Sequence, residues 1–231
     1  MRIFIAAMAF TLFAVPADAA TRNFGVSGFD RIRVDGPFRV RLATGVAPFA
    51  TATANSSGAL EGVAIEVQGR TLIVRANRSS WGGYPGEAAG PVEVSIGTHE
   101  LTAAWLNGAG TLAIDKLRGL SFDLSVHGSG AVSVAAAEVD HFKAAVSGTA
   151  AIGLTGTALK LTATVDGVST LQATGLTTKD AVFSVSGPAT VRATVTETAQ
   201  VSARGPSSVE LSGSPACTIK AAGSANVTGC R

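Results

Sequence analysis

Seven residues stand immediately before a recurring glycine: Asn107, His127, Ser147, Asp166, Ser186, Arg204 and Ala222. Histidine, serine and aspartate on consecutive repeats are the residue types of a nucleophilic triad. Their order argues against one, because a triad needs histidine between nucleophile and carboxylate, and Ser147 occupies the middle place. The spacing instead predicts polar residues that satisfy backbone groups at turns. Glycan cleavage would need two carboxyl groups converging within about 10 Å. Asp123, Asp140, Asp166 and Asp180 fall at different phases of the repeat and give no such pair. Zinc-protease, nucleophile-elbow and phosphate-loop motifs are absent. "LNGAG" (106–110) and "HGSG" (127–130) precede strand patterns, not the helix a phosphate site needs. No cofactor and no metal site is expected, and a non-enzymatic role is.

Binding chemistry has better candidates. Trp81 and Tyr84, in "WGGYPG" (81–86), read as loop residues rather than strand core. They suit contact with a sugar face or protein, or Trp81 folds back over the end of the fold. Trp105 falls in an outward column, open to a ligand or lying under that loop. Arg31, Arg33, Arg39 and Arg41 alternate along two strand patterns and predict a basic stripe. Such a stripe suits an anionic polymer or lipid head groups, or protects a sheet edge. Cys217 and Cys230 are the only cysteines. So close a pair reads most simply as a disulfide in an oxidising compartment, worth about 3 kcal/mol in the chain-entropy model. Two thiols without nearby histidines are too few for a closed zinc site.

The elements that must carry these residues repeat. Gly108, Gly128, Gly148, Gly167, Gly187, Gly205 and Gly223 recur every 18 to 20 residues. Four residues after them stand Leu112, Val132, Ile152, Leu171, Val191, Val209 and Val227; two before stand Leu106, Val126, Val146, Val165, Val185, Ala203 and Ala221. Alternation on both sides of a glycine describes strand, corner, strand. A fixed period of this size signals stacked coils, because one unit cannot bury its inner face alone. The expected class is all-β, a parallel β-helix or solenoid of 18–20-residue repeats; a β-sandwich is the alternative. Upstream, Ile32 to Leu42 around Gly36 and Ile65 to Val74 around Gly69 repeat the unit with wider spacing. The intervening segments 55–62 and 77–90 read as loops.

"FDRIRVDGPFRVRL" (29–42), "GRTLIV" (69–74), "LNGAGTLAI" (106–114), "VHGSGAVSV" (126–134) and "GSPACTIKAAGSANV" (213–227) together resemble the putative auto-transporter adhesin, head GIN domain family of bacterial envelopes. The resemblance implies a right-handed parallel β-helix and an exported location. Later repeats depart from it by losing the second glycine, as in "SGTAAI", "DGVSTL" and "SGPATV".

An export signal is expected at 1–19: Arg2, an apolar run over 3–15, and Ala-Asp-Ala before the cut. That run is shorter than the roughly 20 residues a membrane span needs, and no second hydrophobic segment of that kind follows, so no transmembrane segment is expected after cleavage. The net charge of +2 is too small for nucleic-acid binding. The reading divides the chain into 1–19, signal peptide; 20–100, N-terminal cap and first irregular turns; and 101–231, regular repeats with a disulfide-clipped C-terminus. The expected role is a non-catalytic adhesion or interaction module in the periplasm or at the cell surface of a Gram-negative bacterium. Its expected partner is a glycan, an envelope polymer or another envelope protein. A polysaccharide-cleaving solenoid enzyme and a purely structural periplasmic protein are the alternatives.

Overall fold

The computed structural model describes residues 20–77 and 91–231; the expected export signal lies outside them. Among the described residues sixteen strands and one short helix follow in chain order: β1 (Ala20–Phe24), β2 (Arg31–Asp35), β3 (Arg39–Thr44), β4 (Phe49–Ala54), α1 (Ser57–Glu61), β5 (Val63–Gln68), β6 (Thr71–Ala76), β7 (Glu93–Thr98), β8 (Ala103–Gly108), β9 (Thr111–Gly128), β10 (Ala131–Gly148), β11 (Ala151–Gly167), β12 (Thr170–Ser186), β13 (Thr190–Arg204), β14 (Ser208–Ser212), β15 (Ala216–Ala222) and β16 (Asn226–Thr228). They form a β-solenoid of about six turns. From β9 to β13 each strand is one bent coil, paired in parallel with the coils on either side. A sandwich of antiparallel hairpins has no such pairing.

The glycine before each new coil makes this stacking possible. Gly36, Gly108, Gly128, Gly148, Gly167, Gly187, Gly205 and Gly223 all have positive φ. At Gly148 φ is 105° and an added Cβ would lie 2.4 Å from the Gly128 carbonyl oxygen. Backbone therefore rests on backbone at this corner, and only a residue without Cβ fits. The hydrogen-bond ladder continues around the turn, with Ser129 N–H donating to the Gly108 carbonyl and Thr149 N–H to that of Gly128. The position two residues later points inward. After the Gly36 corner it is taken by buried Phe38; in the regular coils Gly110 and Gly130 hold it, then buried Ala150, Ser169, Ala189 and Ser207. In the regular coils from Gly148 onward a small side chain is accommodated there, which explains the loss of the second glycine in later repeats.

Each coil presents two flat faces. The entry face runs into the glycine corner, and the exit face leaves it. Inward columns fill the space between them and trade volume from coil to coil. Phe122 and Phe142 meet with ring centroids 5.4 Å apart and planes tilted by 56°. Where that column narrows to Leu161 and Ala181, the neighbouring one widens from Ala163 to Phe183. Differences in repeat length are absorbed opposite the glycine. Register shifts between Val134 and Ala137, Gly153 and Thr155, Ala173 and Thr177, and Thr178 and Asp180 leave both faces aligned.

The N-terminal third departs from chain order. β2 lies between β6 and β8, and β3 between β7 and β9. The coil formed by β2 and β3 is thus inserted between two later ones. The chain passes it at 98–102, where buried Thr98 donates its hydroxyl to the Phe29 carbonyl and Thr102 N–H donates to that of Asp30. Gly69, expected at a solenoid corner, instead turns an antiparallel hairpin in which Ile65 faces Val74. The expected loop at 55–62 contains α1, capped by the Ser56 hydroxyl and burying Ala59 and Leu60. At the other end Cys217 and Cys230 form a disulfide.

Gly148→Ala should destabilise the protein by about 3 kcal/mol or more, since strain and overpacking add at that site. Gly153→Ala, with open space around its Cβ, should change stability by no more than about 1 kcal/mol. Denaturant unfolding of the two variants separates corner glycines from incidental ones.

Candidate recognition face

The sequence candidates distribute unevenly over the solenoid. Arg31 and Arg33 lie on β2, on the entry face; Arg39 and Arg41 lie on β3, on the exit face, with the Gly36 corner between them. The four therefore do not make one basic stripe. Arg33 pairs with Asp35 at 2.8 Å and Arg41 with Glu93 at 2.7 Å, while Arg31 stands 3.8 Å from Asp30. Arg39 has no ion-pair partner among the described residues. Trp81 and Tyr84 lie outside the described residues.

Trp105 is where the geometry gathers. It is half-buried on the outward side of β8, in register with Arg33 on one neighbouring strand and Ser125 on the other. Beyond Arg33 in the same column comes Ile73, which is only 9% exposed although it points outward. Ile73 helps to line an open basin of about 660 Å³, with Arg33, Asp35, Glu66, Arg75 and Asn77 around it. Two carboxylate–arginine pairs stand there, Arg33–Asp35 and Arg75–Glu66, the latter at 3.1 Å. Asn77, the last described residue before the segment that holds Trp81 and Tyr84, belongs to the same lining.

The column of residues preceding the glycines continues this array along the axis. Asp35 begins it, because it precedes Gly36. The Asn107 amide donates to Asp35 at 2.6 Å. His127 Nδ1 lies 2.6 Å from the Ser147 hydroxyl and Nε2 lies 2.9 Å from that of Ser125. The Ser186 hydroxyl donates to Asp166. Both imidazole nitrogens thus meet serines and the neighbouring carboxylate is engaged elsewhere, so these side chains do not assemble a relay from carboxylate through histidine to nucleophile.

Burial works against ionisation of Asp35. The hydrogen bonds from Arg33 and Asn107, aided by the charges of Arg33 and Arg75, outweigh it and hold the carboxyl below the usual carboxylate range. Sequence reasoning had the column but started it at Asn107; extending it to the glycine at 36 would have found Asp35. Glu66 and Arg75 had no such signal, since a hairpin brings them in.

Because Asp35 titrates lower in the folded chain, its stabilisation is fully present above the unfolded value of about 3.9. It is lost as pH falls through the folded value. Asp35→Asn should therefore cost less than about 1 kcal/mol at neutral pH for so exposed a pair, and its gap to wild type should close on acidification. Denaturation across a pH series checks this. A gap that stays constant means that Asp35 acts through shape rather than charge.

The family model described as "Putative auto-transporter adhesin, head GIN domain" matches residues 28–215. The fold is similar to that of a putative adhesin from Bacteroides fragilis, with a TM-score of 0.81 and 18% identity over 91% of this chain and 96% of that one. It is also similar to a putative adhesin from Parabacteroides distasonis, at 0.68 and 18% over 92% and 97%. A putative lipid binding protein from the same organism gives 0.69 and 15% over 92% and 98%. At these identities the likeness concerns the fold. Comparison with curated proteins finds no match. Among the described residues no helix is long and apolar enough to cross a membrane.

Proposed function

Since the chain belongs to the putative auto-transporter adhesin, head GIN domain family, we propose that it is an exported, non-catalytic adhesion-type module of the bacterial envelope, and that its entry face binds glycan. One observation carries the glycan reading: the half-buried Trp105 beside the hydrogen-bonded array Arg33–Asp35–Asn107. A pyranose presents a flat C–H face that packs on an aromatic ring, and adjacent hydroxyls that suit a guanidinium, a carboxylate and an amide held in fixed directions. Ile73 extends the apolar floor by one strand beyond Arg33.

Three further features support this reading. The family's description is that of a putative auto-transporter adhesin. The signal-like segment at 1–19 and the Cys217–Cys230 disulfide suit an oxidising, exported setting. The His127 arrangement lacks the relay that acyl transfer would need. A purely structural coil would have no use for an outward tryptophan flanked by polar groups already oriented by one another.

The test is a glycan and envelope-polysaccharide binding screen of the mature protein, with Trp105→Ala and the double variant Trp81→Ala, Tyr84→Ala at matched thermal stability. Binding by the wild type and a tenfold or greater weakening in Trp105→Ala are expected, as for an aromatic anchor in a recognition surface. Weakening confined to the double variant would place recognition in the loop at 81–86. Absence of glycan binding by the wild type would overturn the reading.

A further inference from the structure

We infer that the ligand is an unbranched, uncharged β-linked glycan lying parallel to the solenoid axis, read coil by coil from Trp105 across the entry face. The inference rests on the glycan reading above and specifies the ligand of that site.

The entry face is a repeating surface. From Trp105 one outward column continues through Ser125, Ala145, Thr164, Ser184 and Ser202, in unbroken register. Beside it runs the column Asn107, His127, Ser147, Asp166, Ser186 and Arg204. Each step is one strand spacing, about 4.8 Å, close to the advance of one pyranose along an extended β-linked chain. A ligand on this line meets a hydroxyl or a small side chain at each coil in one column and a hydrogen-bonding group in the other. Side chains of the second column are already ordered by bonds between coils, His127 to Ser147 and Ser186 to Asp166, so less freedom is lost when a ligand binds. Among the described residues of these two columns only Trp105 offers a large ring, which makes it an anchor at one end of the line.

The charges on this face oppose an ionic ligand. Arg33 is paired with Asp35, Arg75 with Glu66, and Lys143 with Asp123 at 3.5 Å. These cations and anions neutralise each other locally; Asp166 and Arg204 of the second column have no ion-pair partner among the described residues, but they are opposite in sign, so no single-sign field runs along the columns. The basin at the β6 end is open rather than enclosed, which suits a chain continuing past it.

A length series of β-linked glucose and N-acetylglucosamine oligomers, titrated against the mature protein, tests this. Affinity should rise at least tenfold from monosaccharide to a chain of about six sugars, one for each position from Trp105 to Ser202, and then level off. Ser184 is exposed, so Ser184→Glu should keep the wild-type unfolding midpoint. It should weaken only the long oligomers, whereas Trp105→Ala should weaken all of them. Equal affinity for short and long chains would overturn the inference and leave glycan binding at Trp105 intact. Stronger binding of an anionic chain of the same length would overturn the uncharged assignment. Indifference of every oligomer to Trp105→Ala would overturn the underlying reading itself.

Discussion

Contact of backbone against backbone at the stacked glycines is the constraint from which the rest of the structure follows. An added Cβ at Gly128, Gly148 or Gly167 would lie 2.4–2.7 Å from the carbonyl oxygen of the glycine one coil earlier. No side-chain adjustment relieves that, because both sides of the contact are main chain. Fixing this corner fixes the register of every coil, and register decides which residues face the core. The two flat faces, the polar columns and the inward columns are all consequences of one corner held in phase.

The corner opposite is free by comparison. Repeats of different length reach it, and register shifts there take up the difference. The chain therefore tolerates steps of 18, 19 and 20 residues without losing alignment on either face. The N-terminal coils show a different freedom. Spatial neighbours need not be sequence neighbours, and β2 and β3 occupy a place between elements that come later in the chain. Buried Thr98 and Asp30 lie where the connection passes, and Arg70 meets Asp30 at 2.7 Å.

The sequence made the repetitive part legible because each repeat states the same local rule: apolar alternation around a glycine. The disulfide was legible for a similar reason, as a close pair in an otherwise cysteine-free chain. Gly69 shows where the rule stops, since apolar residues alternating about a glycine describe a tight hairpin as well as a solenoid corner. What separates them is the partner strand, and that is a long-range fact. The arginines were misplaced for the opposite reason. Arg31, Arg33, Arg39 and Arg41 look continuous along the chain, yet the corner at Gly36 turns the second pair onto another face. Ile73 and Arg75 join Arg33 and Asp35 only because β6 docks beside β2, a pairing that no spacing in the sequence encodes.

Repetition thus supplies shape, and chemistry is confined to what each coil places outward. On the entry face those placements begin with an aromatic ring among paired charges and continue as hydroxyls, interrupted by Ala145, at a constant interval, a surface that suits an extended polymer better than a compact small molecule. Chemical-shift mapping of the isotopically labelled mature protein with a β-linked N-acetylglucosamine oligomer tests this most directly. The account predicts perturbations that start at Arg33 and Trp105 and run along Ser125, Thr164 and Ser184, leaving exit-face residues such as Ala113 and Gly153 unmoved. Perturbations centred on the exit face, or confined to a single coil, would contradict it.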